Sequence, residues 1–138
     1  MKRVLAITAL ILMISSVAMA ASSATPEDMA EAGFEHLLKG EFVKMADAWF
    51  DDFDPKQMSE EKSELAKRQY VAQMPMAGKC SRYELLDRKE YGKSVVKLKY
   101  IAFTERTPLF FTFIYFKPDQ DWLAATIRFN DKVSSLDD

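Results

Sequence analysis

The hydrophobic positions follow a helical period from Thr25 to the connector before Gly78, and a two-residue period from Cys80 onward. The first helix opens at Thr25-Pro26-Glu27-Asp28. It has a capping hydroxyl, proline at the first helical position, acids near the positive end and a side chain that can reach back to the cap. Ala30, Phe34, Leu37 and Leu38 form its apolar stripe up to Lys39, and Gly40 suits a left-handed C-cap. A second amphipathic helix is predicted over Glu41 to Phe53, carried by Phe42, Met45, Ala46, Trp49, Phe50 and Phe53. Asp54-Pro55 stops it, because proline disfavours helical geometry in the residue before it. Ser59 with Glu60 and Glu61 opens a third helix, which Leu65, Ala66 and Tyr70 carry to Met74-Pro75.

The strands predict an antiparallel meander: Arg82 to Tyr91, a tight Gly92-Lys93 turn, Ser94 to Phe103, a loop over Thr104 to Thr107, and a final hairpin. Within that hairpin, Leu109 to Phe116 is apolar on both faces, which calls for cover on two sides. The segment from Lys117 to Asp121 turns the chain into a last strand, Trp122 to Phe129. Pairing Phe116 with Trp122 puts Leu109, Phe111, Phe113 and Tyr115 on one face with Leu123, Ala125, Ile127 and Phe129. A four-residue loop adds Val96, Leu98, Tyr100 and Ala102 to that face and leaves Lys97 and Lys99 outside. A two-residue turn places Tyr83, Leu85 and Asp87 on the helix-covered side as well. The outer face keeps Ile101, Phe103, Phe110, Ile114, Phe116 and Trp122, which predicts a homodimer with Lys97, Lys99 and Arg128 at its rim. Among the tail residues Asp131 to Asp138, only Val133 and Leu136 are large and apolar, enough to cover one corner of that face.

Composition bears on compartment and partner. Lys2 and Arg3 precede an apolar run from Val4 to Ile14, and Ala18-Met19-Ala20 is a small-x-small cleavage pattern. A signal peptide is therefore expected over residues 1–20, with one domain over 21–138 that is periplasmic or secreted and has no membrane attachment once the leader is removed. Loss of the leader takes the net charge from −2 to about −4, which argues against nucleic acid as a partner. Cys80 is the only cysteine, so an internal disulfide is impossible. The expected reading is a small buried thiol, with an intermolecular bridge as the alternative. His36 is the only histidine and falls on a polar helix face, so no metal or cofactor is expected. Asp47, Asp51 and Asp52 read as a solvated face.

Three helices followed by a curved four-stranded meander resemble the nuclear-transport-factor-2-like (NTF2-like) superfamily, in particular its small exported members of unknown function. The resemblance rests on the Leu38-Lys39-Gly40-Glu41-Phe42 junction, on Ser59-Glu60-Glu61, and on Asp121-Trp122 leading into Leu123 to Phe129, and it covers Thr25 to Asp131. It implies an α+β cone or roll. Its enzymes place an Asp and His, or an Asp and Tyr, inside the cone, and this sequence offers no inward histidine. Two functions follow. The first is an exported non-catalytic domain that binds a protein or a small apolar ligand, with Trp49, Phe50, Tyr70, Tyr83, Tyr100 and Tyr115 as pocket candidates beside Phe113. The alternative is an isomerase or hydrolase-like enzyme with Asp87 as general base and Tyr83 and Tyr100 donating to an oxyanion.

Overall fold

A computed structural model describes residues 24–137, so the expected leader lies outside the described residues. The helices are α1 (Pro26–Leu38), α2 (Phe42–Phe50) and α3 (Glu60–Gln73), and a 3-10 turn over Met74–Ala77 follows α3. The strands β1 (Cys80–Tyr91), β2 (Val95–Thr104), β3 (Leu109–Phe116) and β4 (Leu123–Asn130) form one antiparallel sheet in chain order. This is the expected α+β cone. Among the described residues no helix is long and apolar enough to cross a membrane.

Local chemistry explains where the helices start and stop. The Thr25 hydroxyl accepts from the Asp28 N–H at 3.2 Å while the Thr25 N–H donates to the Asp28 carboxylate at 3.1 Å, a reciprocal capping box. Gly40 at φ 71° turns the chain after α1. The second helix ends at Phe50, short of the expected Phe53. Phe53 instead forms a parallel bridge with Ala124, and the Asp52 carbonyl accepts from the Ala124 N–H at 2.8 Å. Lys67 fastens α3 to α2 through Asp47 (3.2 Å) and Asp51 (2.7 Å).

Pairing of β2 with β3 is as expected: Leu98 lies opposite Phe113, Tyr100 opposite Phe111, and Lys97 and Lys99 point outward. The flanking strands depart from simple alternation through bulges. In β1 the turn at Gly92 holds three residues, so Tyr91 pairs with Val95, and an extra residue at Leu86 then restores the anticipated register. Tyr83 lies opposite Ala102 and Leu85 opposite Tyr100. Between turn and bulge every side chain is on the other face from the one expected. Asp87 is thus opposite Lys99 on the outer face and exposed, while Arg88, opposite Leu98, is inside. In β4 a bulge at Ala125 brings Ala124 inward against Tyr115 and leaves Leu123 opposite the outward Phe116, the reverse of the expected assignment. Ile127 and Phe129 remain inside opposite Phe113 and Phe111.

The cone is closed at its centre by one ring. Phe34 is fully buried and lies 4.8 to 5.7 Å from Tyr83, Tyr100, Trp49, Phe111 and Phe113. Its position follows from the crossing of α1 and α2, where the Trp49 indole lies over Gly33 and its N–H donates to the Ala30 carbonyl at 2.8 Å. On the outer face, Lys99 is only 7% exposed and its ammonium donates to the Leu136 carbonyl of the closing 3-10 turn, Val133–Asp137. Phe110 and Thr112 are also buried, and Ile101, Phe103, Ile114 and Phe116 stay half-buried. Trp122, expected on this face, does not join them: with Leu123 turned outward by the bulge, Trp122 packs half-buried against the core, with the Lys117 ammonium 5.8 Å from its ring.

A Cβ on Gly33 would lie 2.0 Å from Trp49 Nε1. Alanine normally favours a helix over glycine by about 1 kcal/mol. Here that gain is outweighed by overpacking, about 1 to 3 kcal/mol, and by loss of the indole hydrogen bond, about 1 to 3 kcal/mol. Gly33→Ala is therefore expected to lower the urea midpoint and blue-shift or broaden the Trp49 emission. An unchanged or raised midpoint would show that the indole does not occupy this crossing.

Candidate functional site

The first helix lies along the inner face of β1 and is fastened to it at two points. Near its N-terminus the Glu27 carboxylate accepts from the Arg88 guanidinium, which also donates to Glu90 at 2.5 Å. Two turns further on, the Tyr83 hydroxyl donates to Glu35 at 2.7 Å. Burial, and then the Glu35 carboxylate, push the Tyr83 phenol well above its ordinary pKa.

Glu31 stands midway between the fastenings, one helical turn from each acid. The β1 residue between Tyr83 and Arg88 on the inner face is Leu85, whose cross-strand partner is Tyr100. Leu85 is 38% exposed. Glu31 is half-buried and has no hydrogen-bond or salt-bridge partner among the described residues. Burial, and then the charges of Asp28, Glu27 and Glu35, raise its pKa. Beneath it Tyr100 is fully buried, its ring 4.9 Å from Phe34 and 6.2 Å from Tyr83, and its hydroxyl has no partner. Burial drives the Tyr100 phenol upward, with Glu31 the largest of the charges that add to it.

Asp52 flanks the same end of the cone. With its backbone held by Ala124, the half-buried carboxyl is raised to about 6, first by burial and then by the charge of Asp51. Tyr115 is buried beside it, and its phenol is pushed well up by burial and then by Asp52. The expected solvated face of α2 is therefore divided: Asp47 and Asp51 go to Lys67, and Asp52 turns toward the sheet.

Of the residues singled out from the sequence, Tyr83 and Tyr100 meet at the Phe34 cluster, their rings 6.2 Å apart, and Tyr115 lies buried further along the sheet beside Phe113. Trp49 is packed at the centre. Phe50 and Tyr70 form a separate knot toward α3 and β4, where the Tyr70 hydroxyl donates to the Ile127 carbonyl at 3.3 Å. Asp87 is excluded, because the bulge at Leu86 puts it on the opposite side of the sheet from Tyr83 and Tyr100. Glu31 and Asp52 were not identified as site residues. The spacing of Glu27, Glu31 and Glu35 is visible in the sequence, but the unpaired tyrosine beneath it is not. His36 lies 3.4 Å from Glu41, and Cys80 is buried with its thiol pushed up by burial. Among the described residues no three His, Cys, Asp or Glu converge well enough to hold a metal ion.

Neither protein-family models nor curated proteins match this sequence. Solved structures do. A candidate NTF2-like transpeptidase from Campylobacter jejuni superposes with a TM-score of 0.54 at 17% identity, covering 73% of this chain and 97% of its own. A candidate calcium/calmodulin-dependent protein kinase type II association domain from Thiobacillus denitrificans gives 0.57 at 9% identity, covering 80% and 97%. An NTF2-like protein of unknown function from Shewanella oneidensis gives 0.51 at 12% identity, covering 76% and 95%. The fold is therefore NTF2-like. The three descriptions differ from one another, and at these identities the likeness extends to the fold and not to an activity.

The raised Asp52 has a signed consequence. Its folded-state pKa of about 6 exceeds the ordinary 3.8, so its protonated form favours folding, and that stabilisation is lost as pH rises from about 3.8 through about 6. Asp52→Asn is expected to raise the urea midpoint at neutral pH, give no gain at pH 4, and flatten the slope between. An unaltered pH profile would show that Asp52 is solvated like its neighbours.

Proposed function

We propose that the protein is an exported, non-catalytic binding domain that works from the inside of its cone, between α1 and the inner face of β1 and β2. One observation carries this reading: the fully buried Tyr100 hydroxyl has no partner in a cone whose centre is otherwise packed ring against ring. An unsatisfied buried hydroxyl costs about 1 to 3 kcal/mol, and a fold gains nothing by keeping it. A ligand that completes its hydrogen bonding gives a reason for the cost. Export is supported by the Lys2-Arg3 start, the apolar run and Ala18-Met19-Ala20. The same proposal includes homodimerisation through the half-buried outer residues Ile101, Phe103, Ile114 and Phe116.

The test is Tyr100→Phe. If the hydroxyl is kept for a ligand, the variant unfolds at a higher urea concentration than the wild type, by the equivalent of about 1 to 3 kcal/mol. A variant less stable than the wild type would show that the hydroxyl serves the fold, and would remove the reading.

An enzymatic reading survives in altered form. It moves from Asp87 to Asp52, whose raised pKa beside Tyr115 suits a general base better than an exposed outer-face carboxylate does.

For the dimer, sedimentation of the wild type at tens of micromolar against Ile114→Glu is decisive. A wild-type dimer that the substitution converts to a folded monomer is expected, and a monomeric wild type would contradict it.

A further inference from the structure

We infer that the cleft where α1 ends and β1 begins is a binding site for an amphipathic anion, a single aliphatic chain carrying one anionic head. The site stands apart from the Tyr100 hydroxyl and does not depend on it.

The cleft has a volume of about 440 Å³ and is formed by the C-terminal turn of α1, the start of α2 and the connector that leads into β1. That volume falls within the range of small-molecule sites, about 300 to 1,000 Å³. Both of its walls are fixed through the backbone. On one side the N–H groups of Lys39 and Gly40 donate to the carbonyls of His36 and Leu37 at 3.1 Å, and that of Glu41 returns to His36 at 2.9 Å. On the other side the loop between β2 and β3 holds the connector. The Glu105 N–H donates to the Lys79 carbonyl at 3.2 Å, and Arg106 donates from its backbone to Ala77 at 3.0 Å and from its guanidinium to Met76 at 2.8 Å. A cleft between two pinned walls needs little ordering when a ligand enters.

Its lining divides into an apolar interior and a cationic edge. Leu38, Phe42, Pro75 and Cys80 supply the apolar part, and the buried Cys80 thiol already donates within its own strand to the Arg82 carbonyl at 3.5 Å. Gly40 adds no side chain, and a Cβ there would meet nothing within 4 Å, so this side stays uncovered. Lys39 and Lys79 complete the lining from opposite walls. Both are exposed, neither has an ion-pair partner among the described residues, and no acid lines the cleft. The adjoining acids are placed elsewhere: Glu41 goes to Lys44 at 2.9 Å and His36 at 3.4 Å, and Glu105 packs against Gly78 from outside the lining.

In a chain whose net charge is −2, two uncompensated lysines beside an apolar cleft free of carboxylates select an anion with an apolar tail. A cation would be repelled, a neutral chain would gain nothing from the lysines, and a small inorganic anion would leave the apolar interior to water. Lysine is a point charge without the planar fork of arginine, so the head can be a carboxylate or a phosphate, and the tail carries the selectivity.

Calorimetric titration of the folded protein with octanoate, octyl phosphate, octylammonium and acetate tests the site. The two octyl anions are expected to bind saturably, and more weakly as salt rises, while octylammonium and acetate do not. Lys39→Gln and Lys79→Gln are each expected to weaken that binding by about two- to fivefold, the scale of one partly solvated ion pair. Lys93→Gln, in the turn at the other end of β1, is expected to leave it unchanged. Lys39 and Lys79 are exposed and unpaired, so both variants should keep the wild-type circular dichroism spectrum. Binding that all three substitutions leave alone, or lower equally, overturns the location. Octylammonium binding as tightly as octanoate overturns the anionic head, and acetate binding as tightly overturns the apolar tail. No saturable binding of either octyl anion overturns the site, and the Tyr100→Phe stability measurement judges the inside of the cone separately.

Discussion

The structure depends on a close approach of two helices at a single glycine. At Gly33 the Trp49 indole occupies the volume of a missing Cβ, and its N–H is fixed to the Ala30 carbonyl three residues back. This crossing sets the depth at which α1 enters the cone, and depth decides what Phe34 can reach. At the observed depth Phe34 touches rings from α2, β1, β2 and β3 at once, so one side chain joins the helical layer to three of the four strands. A bulkier residue at the crossing would lift the ring out of that cluster and open the centre of the sheet.

The same depth brings the polar edge of α1 level with β1. Glu27 and Glu35 then find Arg88 and Tyr83, and Glu31 does not find a partner. The unpartnered Tyr100 hydroxyl is therefore a consequence of how the closed centre is built. Aromatic packing places Tyr100 where its ring is wanted and its hydroxyl is left over, and the helix that covers it presents a carboxylate the chain itself does not neutralise. Asp52 and Tyr115 belong to the same end because the exit from α2 is held to β4 through Ala124.

Much of this architecture was legible in the amino-acid sequence because it follows from local rules. The Thr25 capping box, the Ser59 cap, the Gly40 turn and the pairing of β2 with β3 are each dictated by a few adjacent residues or by strict alternation. What escaped was non-local. The bulges at Leu86 and Ala125 insert one residue into patterns that still alternate plausibly, so the faces of Asp87, Trp122, Leu123 and Ala124 were misassigned, while Tyr83 and Ile127 beyond them were right. Gly33 sits inside a helical pattern, where an isolated glycine signals a packing reason without naming its partner. Glu31 reads as one more solvated acid until β1 is laid beneath it.

The central claim is that the cone is filled at Phe34 and leaves the buried Tyr100 hydroxyl without a protein partner. An experimental crystal structure of the protein, at a resolution that shows ordered solvent, tests it most directly. The account predicts density for a water or ligand atom within hydrogen-bonding distance of Tyr100 Oη and of the Glu31 carboxylate, with Phe34 still in contact with its five rings. A Tyr100 hydroxyl bonded straight to a protein group would contradict it.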